Sequence, residues 1–181
     1  MSTFILGGLM AFFVLTGSAG QASAPEFPTF TVAVTGYNAV AAQTDGDPSV
    51  TASGAFSNPL IVAARSRDLA KELPFGTVIA IRPSAERSDN CGLNIVGSTI
   101  GYRVIADTMN ARITKTVDIL FPTDANVQVG TKTVNAARAL GICDKVEIRV
   151  VGKIDISKPS NLPKTQAGLA AMVGASGLAL K

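Results

Sequence analysis

From Phe30 to Val151 the chain is a succession of short apolar runs separated by clusters of Gly, Pro, Asp, Ser and Thr. That pattern predicts strands and turns rather than long helices. FTVAVTGY, Phe30 to Tyr37, alternates in places and is rich in β-branched residues, so it reads as the first strand. Further short strands are expected at Ile61 to Ala64, Val78 to Arg82, Gly101 to Ala106, Val117 to Phe121 and Val146 to Val151. The stretch from Asn38 to Pro59 contains TDGDPSVTASG at 44 to 54, dense in residues that bond to their own backbone or accept turn geometries, and reads as a loop. Two helices are expected: a short one around Ser66 to Glu72, and TVNAARAL, Thr133 to Leu140. The second places Val134, Ala137 and Leu140 on one face, with Thr133 as N-cap and Gly141 as stop. The result is a small strand-dominated barrel between about residues 28 and 152, although the pattern alone also fits a sandwich.

The ends read differently. Residues 4 to 15, FILGGLMAFFVL, are an apolar stretch followed by small residues ending at Ala22-Ser23-Ala24. That is shorter than the roughly 20 residues of a membrane span and has the size of a secretory core. Residues 1–24 are therefore expected to be a signal peptide, or an uncleaved N-terminal anchor, since the segment before the core lacks Lys and Arg. Both place the body outside the cytoplasm, in the periplasm, at the outer membrane or secreted. After Lys153, KPSNLPK carries two prolines and reads as a linker. The remaining TQAGLAAMVGASGLALK reads as a weak helix or loose tail, its glycines costing about 1 kcal/mol each in a helix.

Export changes the reading of Cys91 and Cys143. In an oxidising compartment an even pair favours a disulfide, and closing that loop would stabilise by about 4 kcal/mol in the chain-entropy model. Two separate buried thiols, or a catalytic Cys, are the alternatives.

Composition narrows the chemistry. The chain of 181 residues has no His, which excludes Ser-His-Asp triads, Cys-His pairs and His-ligated zinc. Two cysteines cannot close a structural zinc site, so neither metal nor cofactor is expected. The 16 Lys and Arg against 13 Asp and Glu are scattered without a basic run, which gives no support to nucleic-acid binding. Acid-base work falls to the carboxylates. Asp107 ends the apolar strand YRVIAD and Asp118 lies inside TVDILF, an unfavourable place for an unpartnered Asp. Asp118 should share a face with Thr116 and Leu120. In an apolar setting its pKa would rise, as a general acid requires. The alternative is a structural carboxylate accepting backbone hydrogen bonds.

Three segments in order, TDGDPSVTASG (44 to 54), LPFGT (73 to 77) and ADTMNARITKTVDILF (106 to 121), followed by a final strand VEIRVV, resemble the three-aspartate (3D) domain. That family is a double-psi β-barrel related to membrane-bound lytic transglycosylase A and, more distantly, to rare lipoprotein A. The resemblance spans about residues 31 to 151 and implies a mainly β fold, a small six-stranded double-psi barrel with one or two short helices. Asp107 with Thr108, and Asp118 eleven residues later, keep the family's spacing. The resemblance implies Asp118 as the catalytic acid and Asp107 as its neighbour. It also implies Thr51, Ser53 and Gly54 as the turn lining a glycan groove. Tyr37 and Asp45 fall in matching neighbourhoods and also read as surface or turn residues. Met109 and Asn110 stand where the family has glycines, Ile113 where it has Lys, and Asp68 matches the third Asp one position out of register.

The implied activity is lytic cleavage of peptidoglycan glycan strands by a monomer that meets the membrane only through an uncleaved leader. The alternatives are a non-catalytic glycan-binding or wall-associated module, and hydrolysis of another β-glucan.

Overall fold

A computed structural model of the chain describes residues 27–44, 47–82 and 91–175. The leader at 1–24, Asp45 and the last six residues lie outside that range. None of the described helices is long and apolar enough to cross a membrane.

Six strands close into a barrel: β1 (Thr29–Asn38), β2 (Val62–Arg65), β3 (Thr77–Arg82), β4 (Tyr102–Thr108), β5 (Thr116–Phe121) and a last strand, Cys143–Lys153. Between β5 and that last strand, β6 (Asn126–Val129) and β7 (Lys132–Asn135) form a separate hairpin, so the closing strand is β8. The order around the barrel is β1-β5-β2-β4-β3-β8, and β8 pairs antiparallel with both β1 and β3 to complete the ring. Two pairs are parallel, β1 with β5 and β2 with β4. Closure leaves no barrel strand with an unpaired edge. The expected mainly β, six-stranded closed barrel is thus the observed fold.

Neighbouring positions on one strand feed two apolar clusters. Val34, Ala63, Ile79, Ile105, Ile119 and Ile148 belong to one, together with α1 (Leu93–Ile100) and α2 (Ala136–Leu140). Val62, Ala64, Val78, Val104, Leu120 and Val151 belong to the other, with α3 (Gln166–Ala175). Strands buried on both faces read as continuous apolar runs, which is why VAAR of β2 shows no alternation. Cys91 and Cys143 form the expected disulfide, tying the approach to α1 to the start of β8.

The helices depart from expectation. Thr133 and Val134 lie in β7, not in a helix; Gly130, with φ of 61°, makes the tight turn of the hairpin. Their β-branched side chains suit a strand. α2 starts three residues later with Asn135 as its cap, the side chain accepting from the Ala137 N–H at 3.0 Å. Gly141, with φ of 64°, stops it as expected. The helix expected at Ser66 to Glu72 shrinks to a single 3₁₀ turn, Arg67–Leu69. Unforeseen α1 buries Leu93, Val96 and Ile100, spaced for one helical face.

The stretch read as linker and tail runs back over the barrel. Ile156, Leu162, Leu169 and Val173 are buried against the second cluster. Gln166 fastens the start of α3: its Oε1 accepts from the Tyr102 N–H at 3.1 Å, and its Nε2 reaches the carbonyls of Leu60, Ile100 and Tyr102. Gly101, with φ of 62°, is required there, because a Cβ would collide with the Gln166 amide. Gln166→Ala leaves these backbone groups to find other partners. It is expected to lower stability by about 2 kcal/mol in urea denaturation and to make α3 the first site of proteolytic cleavage.

Candidate active site

The site is built by one irregularity in the β2 and β4 pairing. Ala63 sits opposite Ile105, but Ala64 sits opposite Asp107, so Ala106 is an extra residue in β4. Without it Asp107 would move one place and point to the other face of the sheet. With it, Thr35 of β1, Asp118 of β5, Ala64 of β2 and Asp107 of β4 stand in one lateral row across four neighbouring strands. The Ala106 carbonyl accepts from the Ser53 N–H at 3.1 Å. The same loop sends the Ala52 N–H to Asp107 Oδ1 at 2.8 Å. The bulge and the TASG loop therefore hold each other.

The two carboxyls have different surroundings. Asp107 accepts from three donors: the Ala52 N–H at 2.8 Å and Thr108 N–H at 2.9 Å on Oδ1, and the Tyr37 hydroxyl at 3.0 Å on Oδ2. Burial, reinforced by Asp107, pushes the Tyr37 phenol far above its ordinary range, so Tyr37 acts as a donor. Among the described residues Asp118 has one hydrogen-bond partner, the Thr35 hydroxyl at 2.8 Å on Oδ1. Burial pushes the Asp118 carboxyl up to about 6; the Thr35 bond opposes this and the Asp107 charge adds to it.

Both carboxyls line a groove of about 730 Å³ between the 42–52 loop and the segment 107–113. Tyr37 and Thr51 line it as well. Ser53 and Gly54 do not; they shape the loop behind it, Gly54 with φ of 82° and its N–H bonded to the Thr51 carbonyl at 2.8 Å. Met109, Asn110 and Ile113, the three departures from the resembled motif, line the groove as well. Asp68 lies apart, its carboxylate accepting from the Lys115 N–H at 3.0 Å. No group of three His, Cys, Asp or Glu that could hold a metal ion occurs among the described residues.

Three contributors were not found from the sequence. Thr35 was readable in principle, being two residues from Tyr37 on a strand and so on the same face. Asp47 lines the groove and is tied into its turn by Ser49, the hydroxyl at 2.6 Å and the N–H at 2.8 Å. Arg103, 1% exposed, carries no sequence signal of its role. Its Nη1 donates to the carbonyls of Pro59 at 2.8 Å, Leu120 at 3.0 Å and Val62 at 3.4 Å, where the β2 and β5 ladder ends. Burial lowers its pKa to about 10, which leaves it a cation at neutral pH.

No protein-family model matches the chain, and no curated protein matches it.

The raised Asp118 pKa has a consequence for stability. Between its ordinary 3.8 and about 6, the folded chain keeps a proton that the unfolded chain has released, so stability falls as pH rises through that window. Contact with the groove solvent reduces the effect to roughly 2 kcal/mol. In urea denaturation Asp118→Asn should match wild type at pH 4 and exceed it by that amount at pH 7.

Proposed function

We propose that the barrel is an exported peptidoglycan-cleaving enzyme of the lytic transglycosylase type, with Asp118 as its acid and then its base. One observation carries this reading: a desolvated carboxyl with a single hydrogen bond lines an open groove, beside a second carboxyl whose oxygens are occupied by three donors. Support also comes from the order and spacing of the TASG, LPFGT and Asp107 to Asp118 segments, which resemble the 3D domain.

The chemistry needs neither imidazole nor metal. Asp118 gives its proton to the glycosidic oxygen between N-acetylmuramic acid and N-acetylglucosamine as the C1–O bond breaks. The oxocarbenium-like centre is captured by the sugar's own 6-hydroxyl, whose proton returns to the Asp118 carboxylate. The product is a 1,6-anhydro-muramyl end and the acid is regenerated. Ordinary glycosidases use two carboxylates at defined separations; here Asp107 holds Tyr37 and the loop and raises the proton affinity of Asp118. Thr51 and Tyr37, which line the groove, face the glycan.

A second reading, a non-catalytic glycan-binding module, is favoured by Met109, Asn110 and Ile113 standing where the resembled motif has glycines and Lys. The two separate on one experiment. Mass spectrometry of products from purified sacculi should find anhydro-muropeptides with wild type and none with Asp118→Asn. A binding module releases none with either protein and still sediments with sacculi. Because the first step uses the protonated acid, the rate should fall as pH rises through about 6.

A further inference from the structure

We propose that Thr35 is the positioning residue of the acid: by holding Oδ1 of Asp118 it leaves Oδ2 as the oxygen that carries the transferable proton. This rests on the reading of Asp118 as the acid. The register of the parallel β1 and β5 pair places Thr35 directly beside Asp118, and its hydroxyl donates to Oδ1 at 2.8 Å. Oδ2 has no hydrogen-bond partner among the described residues, and Asp118 lines the groove. An oxygen that is accepting the Thr35 proton is the poorer site for a second proton, so the neutral acid holds its proton on Oδ2.

The holder is itself held. Val34, immediately before it, is fully buried. Gly36, immediately after it, packs so closely that a Cβ would lie 3.0 Å from both the Ala137 Cα and the Phe121 ring. β1 therefore cannot slide or rotate at this point without displacing α2 or β5. Thr35 is also β-branched, which restricts the rotation that would swing its hydroxyl away. When Asp118 releases its proton, the Thr35 donor is already in place on the carboxylate, so no group has to reorient as charge appears.

The charged and titratable groups around Asp118 are Tyr37 on β1, Asp107 and Arg103 on β4, and Asp47 on the groove loop. On β2, the row neighbour Ala64 carries no charge, and the next residue, Arg65, donates to the carbonyls of Leu73 and Ser66. Substitution at Thr35 changes none of these groups, so a change in Asp118 titration reports on the hydroxyl.

The test uses the full chain with Thr35→Val, Thr35→Ala and Thr35→Ser, each checked for folding by thermal melting. The Asp118 carboxyl is titrated by ¹³C NMR, and anhydro-muropeptide release is followed against pH. Loss of the donor should raise the Asp118 midpoint by about one pH unit in the Val and Ala variants, with Ser near wild type. In step with this, kcat should fall roughly tenfold at unchanged KM, the alkaline limb should move up with the midpoint, and Ser should rescue both. An unmoved midpoint in folded Val and Ala variants overturns the proposal, as does wild-type kcat in them. If wild type releases no anhydro product while the midpoint still moves, the lytic reading falls and Thr35 as holder of Oδ1 stands.

Discussion

The functional face depends on one surplus residue in a ladder. Ala106 is the bulge that turns Asp107 onto the face of Asp118, and its displaced carbonyl is the acceptor that the TASG loop uses to dock. A bulge normally leaves a backbone group without its ladder partner, which is costly in a buried sheet. Here the loop supplies the missing donor from Ser53, and in the same step delivers the Ala52 N–H to Asp107. Distortion of the sheet, placement of the loop and fixing of one carboxyl are therefore one event.

Arg103 addresses a second backbone problem. Where β2 and β5 part company, the carbonyls of Val62 and Leu120 run out of strand partners, and a single guanidinium takes both together with that of Pro59. Its Nε has no hydrogen-bond partner among the described residues, and the side chain is almost wholly buried. A cation in such a place is tolerated because it meets three carbonyl dipoles and lies over the Phe121 ring at 5.8 Å. One nitrogen, Nη1, makes all three of these bonds.

The strands were legible because β-branched runs bounded by turn residues carry the same message locally and globally. FTVAVTGY and TVDILF are strands in the barrel at nearly the boundaries their composition indicates. Asp118 stood out for a related reason, since a carboxyl inside an apolar strand demands an explanation. What could not be read was anything set by register. Strand periodicity puts Thr35 on the face of Tyr37, but that it lies beside Asp118 depends on strand pairing between residues 83 positions apart. The bulge at Ala106 leaves no mark in YRVIAD, and α1 is a helix because its apolar face meets the barrel, despite Gly97 and Thr99 within it. The start of α2 was misjudged because Thr133 and Asn135 are both capable caps, and only the hairpin turn at Gly130 decides between them.

The ring is sealed by its last strand. β8 lies between β1 and β3, so Thr29 to Val32 find their partners only among residues more than a hundred positions later in the chain. Until that segment has been made, β1 has a bare flank and the disulfide has only one of its cysteines. Such a topology has a high contact order, so closure is a late, all-or-none event and folding is slow for the size of the domain. A chain organised in this way stays open until β8 is present, so a fragment that stops short of Cys143 has neither a closed ring nor a disulfide.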